Sequence, residues 1–458
     1  MFTYQDLEKV GLIERDRMEF VRKAVGKHQQ TEEYIVAKDA EAYYAKHNVT
    51  IERYQRFLRD VMGRKVPDYF SSNYKIKTAF FRRFVIQQTQ YVLSNGITFE
   101  KEDTKGKLGL DFDFKVQTAA KKALVDGVSF CFWNYDHLEV FGLADTKKEP
   151  GFAPIYDEEN GALKAGIRYW ANGETQRYTL YELDGFTEYI HKKDNDMEVL
   201  KDKRPYVQTT RRTDAGGVED IEGENYPGFP IIPLYANDVR ESEIVGLREG
   251  IDCYDLVKSG FANNVDEATE IYWLIKNAGG MDDTDMAQFL ERMRVIKAAN
   301  LPDGVDADAH TLEVPTEARE KLLALLKNDL YEDAQIVDVK ALAAGNKTAT
   351  EIRAAYQPMD DKCGDFEYYI RDFIGNLFKL IGIDDEPSFK WNRIANQTEE
   401  TQMVLAAAPY LDDESVLKHL PWLTPEEVDE IIQRKDAEDS SRFNEPEEVI
   451  VEANPVEE

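Results

Sequence analysis

Apolar residues recur at alternating intervals of four and three between Ile352 and Leu380. The stripe consists of Ile352, Tyr356, Met359, Cys363, Phe366, Ile370, Phe373, Leu377 and Leu380. Because this spacing keeps side chains on one face of a helix, it predicts one long helix with helical neighbours along its length. Thr348 and Glu351 have the spacing of a capping box and mark the start of the helix. Pro358 lies inside the pattern, where its missing N–H predicts a kink.

Two further helical patterns precede the long helix. Leucines 322, 325, 326 and 330 predict a packed helix over Pro315–Asp333, and the small residues of 339–347 predict a connecting loop. Apolar residues from Ile244 to Val265 also follow three-four spacing and predict a helix. The region between the two helices predicts a compact α/β insert of strand Ile271–Ile275, helix Asp283–Arg292, strand Arg294–Ala298 and strand His310–Val314. Such an insert belongs at the tip of an antiparallel helical pair.

Within the first 240 residues the hydrophobic pattern changes from the spacing of helices to the two-residue alternation of strands. Helices are predicted within residues 1–50 and over Ile51–Val61, Tyr74–Leu93 and Val116–Val125. Alternating strands follow from Val128 and from Leu163, then a hairpin that turns at Asp184-Gly185, then a strand Ile231–Tyr235. Towards the C-terminus the pattern predicts a strand Phe389–Trp391, a helix Thr401–Leu411 and a helix capped by Thr424. The predicted class is α+β, mainly α.

Composition is that of a folded soluble protein with two to four structural units. The chain has 458 residues, of which 42% are hydrophobic and 32% are charged. No run approaches the roughly 20 apolar residues of a membrane span, and the first residues lack the basic and apolar regions of a signal peptide. Cys131, Cys253 and Cys363 are far apart in apolar patterns, so we expect buried free thiols and a reducing compartment.

The net charge of −31 argues against tight, general binding of nucleic acid, which requires cations that displace counterions. The charge is unevenly distributed. Arg53 to Arg83 contains nine basic and two acidic residues, whereas Lys435 to Glu458 contains nine acidic and two basic residues. The simplest interpretation is a solvated basic helix face and an acidic tail that is disordered after about Ser440.

A search for catalytic chemistry finds no site, and we expect no catalytic residue, cofactor or metal. The run 345–348 resembles the end of a phosphate-binding loop, but Asn346 interrupts the required Gly-Lys step. The six histidines never occur at metal-ligand spacing, and most are expected at the surface. The acidic clusters 111–113, 282–285 and 360–361 have the residue types that hold Mg²⁺ in phosphodiester cleavage, although solvated faces explain them more simply.

Five stretches occur in an order that resembles the portal proteins of tailed double-stranded DNA bacteriophages, in particular the siphovirus-type group. They are Ala42-Tyr43-Tyr44 with His47 to Ile51, Asn73 to Leu93, Phe229 to Asn237, Ile251 to Asp255 with Ser259 and Asn263-Asn264, and Gly345 to Ala349. No single motif is specific, but their ordered occurrence over about residues 35–400 is. The resemblance implies a homo-oligomeric ring, commonly of twelve subunits, at the portal vertex of the capsid, and the host cytoplasm during assembly.

The resemblance also implies a division of the chain and a set of partners. The regions are a wing (1–238), a stem helix (239–270), a clip (271–314), a second stem helix (315–334), a tunnel loop (335–348), a long kinked helix that returns to the wing (349–397), a crown (398–440) and an acidic tail (441–458). Double-stranded DNA would pass through the ring without sequence specificity. The implied protein partners are the terminase large subunit, the major capsid and scaffolding proteins, and head-completion or tail adaptor proteins, with no membrane involved.

Residue roles follow from the same resemblance. The tunnel loop would turn Lys340, Leu342, Gly345, Asn346 and Lys347 towards the DNA, and Pro358 would kink the long helix. The clip would dock terminase and adaptors through Asp282, Asp283, Asp285, Arg292 and Arg294. An acidic wall repels DNA and therefore suits a conduit. Two alternatives remain open from the residues alone: a metal-dependent nucleic-acid-processing enzyme, and a scaffold or adaptor that binds only protein.

Overall fold

The computed structural model describes most of the chain. The described residues are 2–59, 62–69, 71–101, 103–192, 196–212, 218–268, 272–276, 282–295, 306–310, 315–343, 348–392, 397–420, 423 and 425–442. They form two compact units. The first consists of Met1–Val337 with Pro358–Asn392, and the second of Asp338–Gln357 with Arg393–Glu458. Helices and strands together give the α+β, mainly α class that the sequence predicts.

The first unit begins with helices and short strands, and three of the helices are capped by side chains. The elements in order are α1 (Tyr4–Val10), α2 (Glu14–His28), α3 (Glu32–Tyr44), α4 (Val49–Arg53), β1 (Phe57–Arg59), β2 (Lys65–Pro67), α5 (Phe80–Leu93), β3 (Ile97–Phe99), α6 (Asp103–Leu108) and α7 (Phe112–Asp126). Thr3, Thr31 and Asn48 accept the backbone N–H groups that α1, α3 and α4 would otherwise leave unpaired.

Two helix predictions in this region are wrong. The predicted helix Ile51–Val61 ends at Arg53, and the chain continues as the two-stranded hairpin β1–β2. Its apolar side chains are exposed, so no buried face exists to stabilise a longer helix. The predicted helix from Tyr74 starts only at Phe80, because residues 73–79 have no regular secondary structure.

An eight-stranded sheet forms the centre of the first unit. Its strands are β4 (Val128–Asn134), β5 (His137–Gly142), β6 (Gly151–Tyr156), β7 (Leu163–Asn172), β8 (Thr175–Glu182), β9 (Gly185–Lys192), β10 (Glu198–Arg204) and, after the separate pair β11 (Val207–Arg212) and β12 (Val218–Glu224), β13 (Ile231–Tyr235). The order is β10-β9-β8-β7-β6-β5-β4-β13, with every neighbouring pair antiparallel except β5–β6. The strands at 128, 163 and 231 and the hairpin at Asp184-Gly185 are thus confirmed.

Aromatic side chains fill one face of this sheet. Phe130, Phe141 and Phe152 are nearly inaccessible to solvent, and Phe130 lies 4.6 Å from Phe152 between ring centroids. Helix α7 packs against β4 and β5, and α2 against β6 and β7. Strand β4 is buried on both faces, so the period of two separates the residues of its two faces but does not say which face meets which helix.

A cluster of charges, buried except at Glu149, lies where α7 meets α3 and β5. The Lys122 ammonium contacts the carboxylates of Glu41 and Glu149, the latter at 2.8 Å. Asp126 accepts the Leu143 N–H at 2.8 Å, and burial raises the pKa of its carboxyl well above the usual range, while the Glu41 carboxylate adds to that rise. The sequence gives no sign of this cluster, because its members come from separate elements.

An antiparallel helical pair carries the insert that the sequence predicts. The elements are α8 (Arg248–Ala268), β14 (Tyr272–Lys276), α9 (Asp283–Val295), β15 (Asp306–His310) and α10 (Thr316–Asp333). Strands β14 and β15 pair antiparallel, with Tyr272 opposite His310. The predicted strand Arg294–Ala298 is wrong at its start, since residues 294 and 295 belong to α9, and its remainder lies outside the described residues, as do 311–314 of the last predicted strand.

The heptad stripe forms one helix, as predicted. After α11 (Val339–Ala343) comes α12 (Ala349–Ile381), and Thr348 and Glu351 exchange the hydrogen bonds of the expected capping box. From Met359 to Leu377 the stripe is almost completely buried. Strand β16 (Pro387–Phe389) then pairs with β3, two residues earlier than the predicted strand. The connecting loop predicted over 339–347 is wrong in its first half, which is the helical turn α11.

The second unit is helical in its described part. It contains α11, the first turns of α12, α13 (Gln397–Ala407), a 3-10 turn (Ala408–Tyr410), α14 (Asp413–Lys418) and α15 (Pro425–Arg442). The predicted helix Thr401–Leu411 is therefore α13 and the turn that follows it. Asp412 caps α14 by accepting the Ser415 N–H at 3.1 Å. The Thr424 cap and residues 443–458 of the acidic tail lie outside the described residues.

Candidate functional site: the α8–α10 pair and its neighbouring segments

Helices α8 and α10 lie antiparallel in a register that two contacts define. Gly250 lies against Leu330, where a Cβ at residue 250 would come within 2.9 Å of the leucine side chain. Eleven residues further along α8, the Arg319 guanidinium lies 5.8 Å from the Phe261 ring centroid. The two contacts are the same number of residues apart on both helices, so positions along the pair can be matched by counting.

Both helices expose apolar side chains. Leu322 and Leu325 of α10 retain 42% and 57% of their accessible surface, and Leu256 and Val265 of α8 retain 43% and 47%. Of the leucines predicted to pack, only Leu330 is buried within a single chain. Sequence periodicity identifies an apolar face but does not specify whether the same chain covers it.

A polar row on α8 binds an extended segment of the same chain. Asn263 accepts the Tyr74 N–H at 2.6 Å, Ser259 accepts the Ile76 N–H at 2.9 Å, and Asp255 accepts the Thr78 N–H at 3.0 Å. The three acceptors are four residues apart on one helix face, and the three donors are two residues apart on an extended chain. We call residues 73–79 the strap.

Further side chains extend this row in both directions. Asp255 also accepts from Asn48 at 2.9 Å, and Asp252 accepts from the Tyr43 hydroxyl at 2.6 Å. At the other end the Arg56 guanidinium contacts Glu267 at 2.5 Å. Burial raises the pKa of the Asp255 carboxyl, and its hydrogen-bond donors act in the opposite direction.

Sequence reasoning missed the strap, although a signal for it exists. Residues 255, 259 and 263 place polar side chains at four-residue intervals on one face of α8. Such a row, beside the apolar stripe, predicts that this part of the helix receives a polar partner. The three positions were noted only as part of a family motif, and nothing in the sequence indicates which segment they bind.

The predicted clip residues lie on α9 and at its start. Asp282 and Asp285 form a reciprocal cap, in which Asp282 accepts the Asp285 N–H at 2.8 Å and the Asp285 carboxylate accepts the Asp282 N–H at 3.3 Å. Both side chains are exposed, as is that of Arg292. Asp283 and Arg294 belong to the same helix. The acidic cluster thus begins a helix, which is a structural use of carboxylates.

The predicted tunnel residues are only partly described. Lys340 is exposed on α11, and its backbone N–H donates to the Asp338 carboxylate at 3.1 Å. Leu342 is half-buried. Gly345, Asn346 and Lys347 lie outside the described residues. Pro358 lies inside α12, and the boundary between the two compact units falls immediately before it.

The residues that the structure describes contain no group of three metal-ligating side chains. Of the acidic clusters proposed for Mg²⁺, Asp113 approaches Lys105 at 3.4 Å and Asp360 accepts a hydrogen bond from Tyr91. In the described part of the chain no helix is long and apolar enough to cross a membrane.

The prediction of buried cysteines holds for two of the three residues, and among the histidines whose burial is described His47 and His419 are exposed, His137 and His191 are half-buried and His28 is buried. Cys131 and Cys363 are buried free thiols, but Cys253 is exposed on α8. His28 is buried rather than at the surface, its ring nitrogen lies 3.0 Å from the Leu143 carbonyl oxygen, and burial lowers its pKa.

The sequence matches known proteins over most of its length. The profile of the family described as "Phage portal protein, SPP1 Gp6-like" matches residues 24–441. The portal protein of Clostridium phage phiCD119 is 23% identical over 385 residues, which are 76% of this chain and 82% of that protein. The portal protein of Bacillus phage SPP1 is 25% identical over 345 residues, covering 72% of this chain and 66% of that protein.

Among solved structures, a chain from the neck of an empty gene transfer agent particle is similar, with 12% identity and a TM-score of 0.44. The likeness covers 74% of this chain and 88% of the other. The family profile decides the classification. Its match extends through the strap, the α8–α10 pair and the long helix. This chain belongs to the SPP1-type family of phage portal proteins.

Proposed function

We propose that this chain assembles as a ring at one vertex of a phage capsid, through which the genome is packaged and later ejected. Proteins of the portal family are structural proteins of the virion that form oligomeric rings, and they are not enzymes. The observation that carries the proposal for this chain is the exposed apolar surface of α8 and α10. Burying it against a neighbouring copy removes apolar area from water at about 25 cal/mol per Å².

The exposed apolar patches of α8 and α10 provide two surfaces that could meet between neighbouring subunits of a ring. A ring requires a heterologous interface, in which two different patches of each subunit meet. Leu322 and Leu325 on α10 supply one patch, and Leu256 and Val265 on α8 supply another. A ring of twelve subunits, with α8 and α10 as its stem, fits this arrangement.

The acidity of the chain suits a conduit for DNA. The chain has 88 acidic and 57 basic residues, so the phosphates of a duplex are repelled from most of its surface. We assign the segment 335–348 to the tunnel, with Lys340 and Lys347 making transient phosphate contacts and with Leu342, Gly345 and Asn346 beside them. Pro358 is assigned the bend that directs α12 from the tunnel into the wing.

The insert is assigned to docking. β14, β15 and α9 form the clip, and Asp282, Asp283, Asp285, Arg292 and Arg294 present charges of both signs to the terminase large subunit during packaging and to head-completion or tail adaptors afterwards. Residues 1–238 form the wing, and residues 398–440 form the crown. The major capsid and scaffolding proteins surround the ring during assembly in the host cytoplasm.

Particle mass and shape test the proposal. Light scattering of the purified chain should give a mass many times 52.7 kDa, and negative-stain images should show a ring with an axial hole. A compact monomer at all concentrations would refute the ring. The double variant Lys340→Asp/Lys347→Asp should form normal rings and package DNA poorly, and normal packaging would remove the tunnel assignment.

A further inference from the structure

A pocket of about 350 Å³ opens where the end of α10, helix α12 and the segment between β13 and α8 meet. Such a volume lies at the lower end of the range of small-molecule sites in proteins, about 300–1,000 Å³. Four of its lining residues are acidic, Glu243, Asp333, Asp361 and Asp365, and Lys362 is the basic residue among those described. Carboxylates alone do not define a site, so the other groups around the pocket decide what it can bind.

The lysine of the pocket is already neutralised within the chain. The Lys362 ammonium contacts the Glu243 carboxylate at 2.5 Å and donates to a carbonyl oxygen at the end of α10 at 2.9 Å. Asp333 and Asp365 are exposed, and neither forms an ion pair with a described residue. Helix α10 ends at Asp333, so the partial negative charge of its C-terminal end adds to that of the carboxylates. The pocket therefore favours a cation.

A buried amide group points to a ligand independently of the charges. Gln88 on α5 retains 3% of its accessible surface and lines the pocket, yet its side chain has no hydrogen bond with any described residue. By contrast, the Gln87 amide donates to the Val337 carbonyl oxygen at 2.8 Å, and the Thr89 hydroxyl donates to the Val85 carbonyl oxygen at 2.8 Å. Polar side chains this buried are normally hydrogen-bonded. The amide oxygen of Gln88 is thus an acceptor at the pocket wall for a cation that carries N–H groups.

The lining groups fit an ammonium group better than a metal ion. Calcium takes six to eight oxygen ligands, and the described residues contain no group of three metal-ligating side chains. A primary ammonium group donates up to three hydrogen bonds, so it can combine an amide oxygen with carboxylates. Phe366, which is buried beside the pocket, offers apolar surface to the methylene chain of an amine.

We infer that the pocket binds a small organic amine, whose ammonium group donates to the Gln88 amide oxygen and whose charge Asp333 and Asp365 balance. All lining residues belong to the first compact unit of one chain, so the inference does not require the proposed ring. A free polyamine and a lysine side chain of a second copy carry the same ammonium group. A polyamine therefore serves as the probe, and assembly distinguishes the two sources.

Calorimetric titration of the full chain with spermidine at low salt measures the binding. Asp333→Asn/Asp365→Asn removes two exposed carboxylates at nearly constant size, should fold normally, and should raise the dissociation constant at least tenfold. Gln88→Leu removes the buried amide and should raise it at least threefold. The matched control Glu158→Gln/Glu159→Gln removes two exposed carboxylates between β6 and β7, outside the pocket, and should bind as the unmodified chain does.

Two results of this titration would overturn the inference. Equal binding by the unmodified chain and all three variants would show attraction to the acidic surface in general. Displacement of spermidine by calcium chloride, but not by sodium chloride at equal ionic strength, would assign the site to a metal ion.

A comparison of dilute and assembled protein distinguishes the two sources of the ammonium group. Spermidine that binds equally in both states identifies a free amine as the ligand. Spermidine that binds the dilute chain and is excluded from rings identifies a lysine of the neighbouring copy, and Asp333→Asn/Asp365→Asn should then raise the concentration at which rings form at least tenfold. Both results support the ammonium site, whereas absence of spermidine binding in both states would overturn it. Failure of the unmodified chain to form any ring would refute the proposed function, and titration of the dilute chain would still test this site.

Discussion

Asp255 connects three elements, so its removal should be unusually costly. Its carboxylate accepts the Thr78 N–H at 3.0 Å, the Thr78 hydroxyl at 2.7 Å and the Asn48 amide at 2.9 Å, and the residue is inaccessible to solvent. Asp255→Ala leaves the Thr78 N–H and the Asn48 amide without their acceptor, and each unsatisfied donor costs about 1–3 kcal/mol. Relief of the desolvated carboxylate, whose pKa burial raises, offsets part of this cost. The expected loss in the free energy of unfolding is about 3 kcal/mol.

Urea unfolding at one fixed protein concentration measures the loss, because assembly contributes to apparent stability. Native-state hydrogen exchange gives the local result: the Thr78 amide should exchange about 100-fold faster in Asp255→Ala. Ser259→Ala removes one acceptor, that of the Ile76 N–H, and should cost about 1 kcal/mol. Glu249→Ala changes an exposed acid on the same helix and should stay within about 0.5 kcal/mol.

One outcome would refute the reasoning. If Thr78 and Ile76 exchange equally fast in Asp255→Ala and in the unmodified chain, the row on α8 does not hold the strap. The strap would then be bound by other contacts, and the loss of unfolding free energy should also be below about 1 kcal/mol.

Three further predictions concern the first unit. Asp126→Asn should stabilise the chain increasingly as pH rises above the ordinary aspartate pKa. The raised pKa of this buried carboxyl makes the unmodified native state lose stability with rising pH, and the amide does not titrate. Thermal unfolding between pH 5 and pH 8 measures the difference between the two proteins, and a difference that stays constant would contradict the prediction. Gly127→Ala should lower the unfolding free energy by more than about 1 kcal/mol. Residue 127 has a φ of +87°, and a Cβ there would lie 2.6 Å from a backbone carbonyl oxygen. Unchanged urea unfolding would show that the turn relaxes. Brief maleimide labelling, read by mass spectrometry, should label only Cys253. Cys131 and Cys363 should stay unlabelled, because burial raises the pKa of both thiols to about 12. Label on either of them would contradict this burial.

Long periodic elements were predicted well from the sequence. The heptad stripe, its capping box, the α8 and α10 helices and the central strands are all present. Their signals are local, because a period of 3.6 or 2 states which side chains share a face before any partner is known. The family resemblance came from the same segments, and the profile match from 24 to 441 confirmed it.

Short elements with non-local partners were predicted poorly. Residues 54–59 and 74–79 contain apolar residues at helical spacing, yet the first segment leads into strand β1 and the second is the strap. The strap stays extended because Asp255, Ser259 and Asn263 take its N–H groups in place of a helical carbonyl. These acceptors lie about 180 residues away in the sequence, so a local pattern carries no information about them.

The sequence by itself determined the class of fold, the helical pair with its insert, the family and the acidity that suits a DNA conduit. Tertiary structure decided which apolar faces the chain covers for itself. The stripe of α12 is buried from Met359 to Leu377, whereas Leu322 and Leu325 of α10 remain exposed. The two stripes have the same apolar character and both follow helical spacing. Burial depends on what packs against a face, and that is a property of the assembled elements rather than of the pattern.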